Sequence, residues 1–249
     1  MLEVWLPLFG LFGTGLRLLG PPAILRQRLA RQQNVVFAAA RLWTTRPPVT
    51  VMRTPVVVAA AIDLADSASV RRCAAQVLAR HPRVDILVNA AGWNDIQPFI
   101  ENAPEYMDKV VAINLNGPLH LTQALLPAMI AAGGGKIVNV SSDAGRVGSS
   151  GETTYAAAKG GLIAFTKSLA REMARYSINV NCVCPGPTDT PMLQSRPEKL
   201  KEAFVRAIPF KRFAKPQEIA DAIVFFASPS SDYVTGQVIS VSGGLTFAG

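Results

Sequence analysis

The stretch Ser141–Lys167, SSDAGRVGSSGETTYAAAKGGLIAFTK, decides how the rest of the chain is read. It follows the apolar run Lys136–Val140, KIVNV, which reads as a buried strand, and it runs into a helix that opens with Tyr-Ala-Ala-Ala-Lys. Tyr155 and Lys159 stand four residues apart, a spacing that puts both side chains on one helix face. An ammonium beside a phenol favours the phenolate, so Lys159 is expected to pull Tyr155 down from its ordinary pKa of about 10. Ser142 lies thirteen residues before Tyr155 at the strand's end, where its hydroxyl and the phenol can reach one ligand oxygen. The alternative is an amphipathic helix with a snorkelling lysine, since Tyr-x-x-x-Lys alone is a weak motif.

Around this core the chain carries Asn89-Ala90-Ala91-Gly92 after the strand pattern Val84–Val88, Asn114 within a helical pattern, and Pro185-Gly186-Pro187-Thr188-Asp189-Thr190 after the strand pattern Ser177–Cys184. Taken together and in this order, these motifs resemble the short-chain dehydrogenase/reductase family over about 190 residues. The resemblance implies a single-domain α/β fold over residues 1–249, a Rossmann-type doubly wound parallel sheet, and reversible hydride transfer between NAD or NADP and a secondary alcohol or ketone. In it Tyr155 exchanges the proton, Ser142 holds the substrate oxygen, Lys159 tunes the tyrosine and binds the cofactor ribose, and Asn114 supports a water relay. A helix kink is the plainer reading of Asn114. The same resemblance gives cofactor contacts to Asp63 and Leu64 at the adenine, to Asn89, Ala90 and Gly92 at the adenosine ribose, and to Pro185, Gly186, Thr188 and Thr190 at the nicotinamide carboxamide. Helix capping is the other role open to Asp63, although Asp66 and Ser67 are better placed for it. It also implies a homotetramer or dimer.

Within the family, the segment from Asp143 to Glu152, together with Ala91-Gly92-Trp93 and Cys184–Thr190, looks like the 2-hydroxycyclohexanecarboxyl-CoA dehydrogenase branch. That implies a β-hydroxyacyl thioester as substrate, with Arg146 touching it, or a solvated Arg146 on a loop. An NADPH-dependent 3-oxoacyl-carrier-protein reductase is the nearest alternative. Met192–Phe213 is expected to be a helical substrate lid, whose lysines and arginines suit a coenzyme A or carrier-protein partner or simply a solvated face.

Residues 1–55 fit the pattern poorly. The turn Thr14-Gly15-Leu16-Arg17-Leu18-Leu19-Gly20 has no middle glycine, and the other placement, on Gly10, Gly13 and Gly15, leaves Pro21-Pro22 inside a helix. A chain with its phosphate loop impaired could be a non-catalytic scaffold. Arg41, near the end of the second strand pattern Val35–Ala40, pulls toward NADP, while the branch resemblance pulls toward NAD.

Composition excludes several classes. The net charge of +8 is concentrated in residues 1–60, which hold seven arginines and one glutamate, so the body is nearly neutral and nucleic-acid binding is discounted. Cys73, Cys182 and Cys184 make neither a disulfide framework nor a metal set, and alternation puts the last two on one face of a strand. Val4–Leu16 is apolar but shorter than the roughly 18 residues a membrane span needs. A cytoplasmic protein without metal is expected.

Overall fold

The computed structural model describes residues 60–248 together with the strand residues Val35–Val36. The phosphate-loop candidates and Arg41 lie outside the described residues. In chain order the elements are β1 (Val35–Val36), β2 (Ala60–Ala61), α1 (Ser67–Arg80), β3 (Ile86–Asn89), α2 (Pro104–Val111), α3 (Gly117–Ala131), β4 (Gly135–Val140), α4 (Ala144–Val147), α5 (Thr153–Met173), β5 (Ile178–Pro185), α6 (Pro191–Gln194), α7 (Glu198–Ala207), α8 (Pro216–Ala227) and β6 (Val238–Val241).

Strands β3, β4, β5 and β6 form one sheet in that order, every pair parallel. Alternating side chains divide between two apolar layers. Ile137 and Val180 pack with Val70 of α1, Leu121, Leu125 and Met129 of α3 and Leu169 of α5, whereas Val138 and Val183 pack with Ile219, Ile223 and Phe226 of α8. A sheet buried on both faces needs apolar residues at consecutive positions, which is why β5 reads as a near-continuous run. The doubly wound α/β class follows from this arrangement.

One expectation changes. The apolar run Val56–Ile62 reads as a buried parallel strand; residues 56–59 lie outside the described residues, and the ladder described in the remainder is Ala60–Ala61 paired antiparallel with Val35–Val36, apart from the four-stranded sheet. An apolar run specifies burial; its partner and direction depend on what lies beside it.

The helix over Pro104–Ala132 is interrupted. Between α2 and α3, Ala112–Asn116 forms a π-helical turn. Asn114 sits in it, fully buried, and donates to the Val110 carbonyl four residues back at 2.9 Å. A side chain that bonds backward onto the helix and widens one turn accounts for the break.

Candidate active site

The carboxyl ends of β3, β4 and β5 open onto a cavity of about 550 Å³. Each strand delivers a short loop there: β3 leads into Ala90-Ala91-Gly92, β4 into Ser141-Ser142-Asp143, and β5 into Gly186-Pro187-Thr188. Helix α5 then lays Tyr155 and Lys159 against the same space. Of the residues expected from the sequence, Leu64, Asn89, Ala90, Gly92, Ser142, Tyr155, Lys159, Pro185, Gly186, Thr188 and Thr190 line it.

Lys159 is only 2% exposed. Its Nζ donates to the Val140 carbonyl at 2.9 Å and the Ala91 carbonyl at 3.4 Å, and lies 5.8 Å from the Tyr155 ring centroid. An ammonium has three protons, so one donor remains for a ligand. Burial pushes Lys159 down to about 8, which still leaves it charged at neutral pH. Ser141 fixes the helix to the strand end, its hydroxyl donating to the Lys159 carbonyl at 2.8 Å.

Tyr155 departs from expectation. Burial raises its pKa well above the ordinary value, the Ser142 hydrogen bond lowers it only in part, and Glu152 adds to the rise. Spacing along the helix places a cation beside the phenol, but desolvation dominates here. Tyr155 is therefore a phenol at neutral pH, suited to donating a proton.

Three other expected residues lie off the cavity wall. Asp63 is exposed, and its Oδ1 accepts from the Ala65 backbone at 2.9 Å in a local turn, while Asp66 caps α1 by accepting from Ala68 at 2.8 Å. Asn114 clamps the loop after β3, donating to the Trp93 carbonyl at 2.7 Å and accepting from the Trp93 N–H at 3.2 Å. A Cβ on Gly92 would sit 3.3 Å from Asn114 Oδ1, a tight approach, and in ordinary contact with Lys159 Nζ at 3.5 Å. Arg146 does not reach the cavity. Its guanidinium donates to Ser240 Oγ at 2.9 Å and to the Ala248 carbonyl, because α4 turns it toward β6 and the chain's end rather than inward.

Further side-chain contacts support the site, and of their members Asn139, Thr122, Thr166, Asn94, Glu152, Tyr106 and Arg196 are not among the residues expected from the sequence. Asn89 Nδ2 donates to Asn139 Oδ1 at 2.8 Å and Thr122 Oγ1 at 3.1 Å, and Asn139 Nδ2 donates to Thr166 Oγ1 at 2.9 Å. This buried chain ties β3, β4, α3 and α5 beneath the cavity, and it gives Asn89 the strand-tying role its position suggests. Asparagine inside the apolar run Lys136–Val140 was the available signal, since a buried amide needs partners. Above the cavity, Asn94 donates to Glu152 Oε1 at 2.7 Å and accepts from the Tyr106 hydroxyl at 2.9 Å. Arg196, in the turn between α6 and α7, donates to the Asn94 carbonyl at 2.7 Å and to Asp95 Oδ1 at 3.2 Å. Thr190 caps α6, accepting from Leu193 N–H at 3.4 Å. Cys182 and Cys184 are buried on one side of β5 with sulfurs 3.9 Å apart.

An open parallel sheet with its cavity outside the strands' carboxyl ends belongs to the Rossmann-type α/β class. Within that class the pairing of Tyr155 and Lys159 with Ser142 narrows the choice to oxidoreductases. The family model described as enoyl-(acyl carrier protein) reductase matches residues 34–246, and the chain belongs to the short-chain dehydrogenase/reductase family. It is 42% identical over 184 residues to the 3-oxoacyl-(acyl-carrier-protein) reductase FabG of Thermotoga maritima, covering 74% of this chain and 75% of that protein. It is 39% identical over 185 residues to the (3R)-3-hydroxyacyl-CoA dehydrogenase of Mus musculus, covering 74% of this chain and 71% of the relative. The crystal structure of a provisionally assigned gluconate dehydrogenase from Agrobacterium tumefaciens superposes with a TM-score of 0.71 at 33% identity, over 74% of each chain. Among the described residues no helix is long and apolar enough to cross a membrane.

Proposed function

We propose that the chain is an NAD(P)-dependent reductase that converts a 3-oxoacyl thioester of coenzyme A or a carrier protein into the 3-hydroxyacyl thioester, and runs in reverse when product accumulates. The observation that carries this is the meeting of Tyr155, Ser142 and Lys159 at one cavity. The names of the Thermotoga and mouse relatives support the thioester class.

The residues present fit the nicotinamide and ribose of a dinucleotide. The floor is Ala90-Ala91-Gly92, built of small residues, with a Cβ at Gly92 only 3.3 Å from Asn114 Oδ1, and Lys159 keeps a donor to spare. Lys159 would hold the ribose, Pro185, Gly186, Thr188 and Thr190 the carboxamide, and Asp63, Leu64, Asn89, Ala90 and Gly92 the adenosine side. When bound, the nicotinamide supplies the hydride that reduces the carbonyl carbon.

The chain's own groups handle the oxygen. Ser142 donates a hydrogen bond that draws the carbonyl against Tyr155, and the phenol delivers its proton as negative charge grows there. Burial keeps the phenol protonated at neutral pH, the form in which it can donate to the oxygen. Lys159, still charged, stabilises the phenolate left behind. Asn114 acts at one remove, holding Trp93 and through it the loop after β3. Segment 190–213 serves as the lid, with Met192, Leu193, Arg196 and Phe204 on the cavity wall.

Fluorescence titration with NADH and NADPH tests the cofactor and ranks the two forms. Acetoacetyl-CoA, a cyclic β-ketoacyl-CoA and simple ketones then test the substrate. Activity confined to simple ketones removes the thioester, and no binding of either dinucleotide leaves a non-catalytic scaffold. The resemblance further supports a homotetramer or dimer, which light scattering measures.

A further inference from the structure

Among the described residues, the charged side chains bordering the cavity are Asp143, Glu152, Lys159 and Arg196. Three of them are already answered. Arg196 pairs with Asp95 at 3.2 Å, Asp143 shares the Ser240 hydroxyl with Arg146, and Lys159 serves Tyr155 and the ribose in the reaction above. Glu152 stands just before α5, yet its carboxylate does not cap that helix. It turns instead to Asn94, whose Nδ2 donates to Oε1 at 2.7 Å, and Asn94 is itself 5% exposed and held by the Tyr106 hydroxyl at 2.9 Å. Among the described residues Glu152 has no ion-pair partner and its Oε2 no hydrogen-bond donor, and this oxygen, unlike Asp143 Oδ2, is not sealed from solvent.

Tyr155 follows three residues later, a spacing that brings Cβ atoms to within about 5–6 Å on one helix side. The carboxylate is felt there, since it adds to the rise of the Tyr155 pKa. That opposes the phenolate left after proton transfer, so proton delivery gains nothing from Glu152, and the reason for an acid at this place lies with the substrate. Resting on the function proposed above, we infer that Glu152 is a specificity-determining residue: it turns away 3-oxo acids with a free carboxylate and leaves the site to neutral 3-oxoacyl thioesters and esters. With the reacting carbonyl held by Ser142 and Tyr155, the C1 group of a 3-oxo acid is two bonds from the reacting carbon and lies in the cavity that Glu152 borders. A free carboxylate there meets a like charge with no counter-ion, whereas a thioester carbonyl is neutral. The phosphates of coenzyme A are carried at the far end of the pantetheine arm, so they do not share this position. Two like charges about 7–10 Å apart, at an effective dielectric of about 20, repel enough to change a rate about 15–50-fold.

The test is the ratio of kcat/KM for methyl acetoacetate to kcat/KM for acetoacetate, two molecules that differ in charge and one methyl group, at saturating dinucleotide. Wild type should favour the neutral ester. Glu152→Gln keeps an acceptor for Asn94 and removes the charge, and should lower the ratio about tenfold or more, chiefly by raising kcat/KM for acetoacetate. Glu152→Ala removes the charge in a different way and is expected to lower the ratio to a similar extent, which covers the case of a glutamine variant that folds poorly. A purely structural disturbance slows both substrates together and leaves the ratio where it was. A ratio within about twofold of wild type in both variants therefore overturns the role of Glu152 and leaves the proposed function standing. Wild type that prefers acetoacetate to the ester overturns that role as well. Wild type that reduces neither methyl acetoacetate nor acetoacetyl-CoA overturns both.

Discussion

Replacing Gly145 with alanine should damage the site without touching a reacting group. Gly145 lies in α4 where it crosses α5, and an added Cβ would sit 2.7 Å from the Lys159 carbonyl carbon, 2.8 Å from the Gly160 nitrogen and 2.9 Å from Lys159 Cβ. Carbon atoms rest comfortably at about 3.5–4.0 Å, so the helices must part by several tenths of an ångström. None of the three atoms can swing aside, because two are backbone and the third is fixed to it. Overpacking of this kind costs about 1–3 kcal/mol. At about 2–4 °C per kcal/mol for a chain this size, Tm should fall by roughly 2–12 °C. Lys159 rides on the displaced turn and Tyr155 lies one turn before it, so kcat should fall by up to about 100-fold, as for a misplacement of about 1 Å. Gly160→Ala is the graded comparison, since its Cβ meets only the Gly145 carbonyl oxygen at 3.2 Å, and it should lose much less. The assays are thermal unfolding and steady-state reduction of acetoacetyl-CoA. Gly145→Ala with wild-type Tm and kcat would refute the claim that this crossing sets the position of α5.

Four further outcomes are expected. The rate of reduction should fall as pH rises through about 8, where buried Lys159 loses its proton; a rate that stays flat to pH 10 contradicts the role given to that ammonium. Stability shows the reciprocal effect: between about 8 and the ordinary 10.5 the unfolded chain binds the Lys159 proton and the folded chain does not, so unfolding free energy should rise with pH there, and Lys159→Met should abolish the rise in urea titrations. Asn139→Ala breaks the Asn89 and Thr166 hydrogen bonds inside the core and should cost about 2–4 kcal/mol by urea denaturation, a loss below about 0.5 kcal/mol being the contrary result. Arg196→Ala frees the α6–α7 segment from Asn94 and Asp95, and should raise KM for a thioester about 3–10-fold with kcat nearly constant; an unchanged KM removes the latch.

Much of the fold is visible in the sequence because the sheet is parallel and buried on both faces, so β3, β4 and β5 stand out as short apolar runs ending in small or polar residues. Tyr155, Lys159 and Ser142 are legible for a different reason: helical spacing and a strand end fix their relation before any tertiary contact is known. What is not legible depends on contacts between distant segments. The Asn89–Asn139–Thr166 chain joins residues up to 77 positions apart, and Arg146 turns away because Ser240 and Ala248, 94 and 102 residues later, receive it. The direction of the Tyr155 shift likewise follows from burial, which no local pattern encodes. Asn114 was visible as an anomaly, a polar residue within a helix, but only the π-helical turn shows that it grips Trp93.

Everything about the chemistry rests on proton delivery by the phenol of α5. The direct measurement is the single-turnover rate of acetoacetyl-CoA reduction by Tyr155→Phe, with the dinucleotide Kd measured on the same protein. The account predicts a rate lower by about 100-fold or more with Kd close to wild type. A rate equal to wild type at saturating dinucleotide would contradict it.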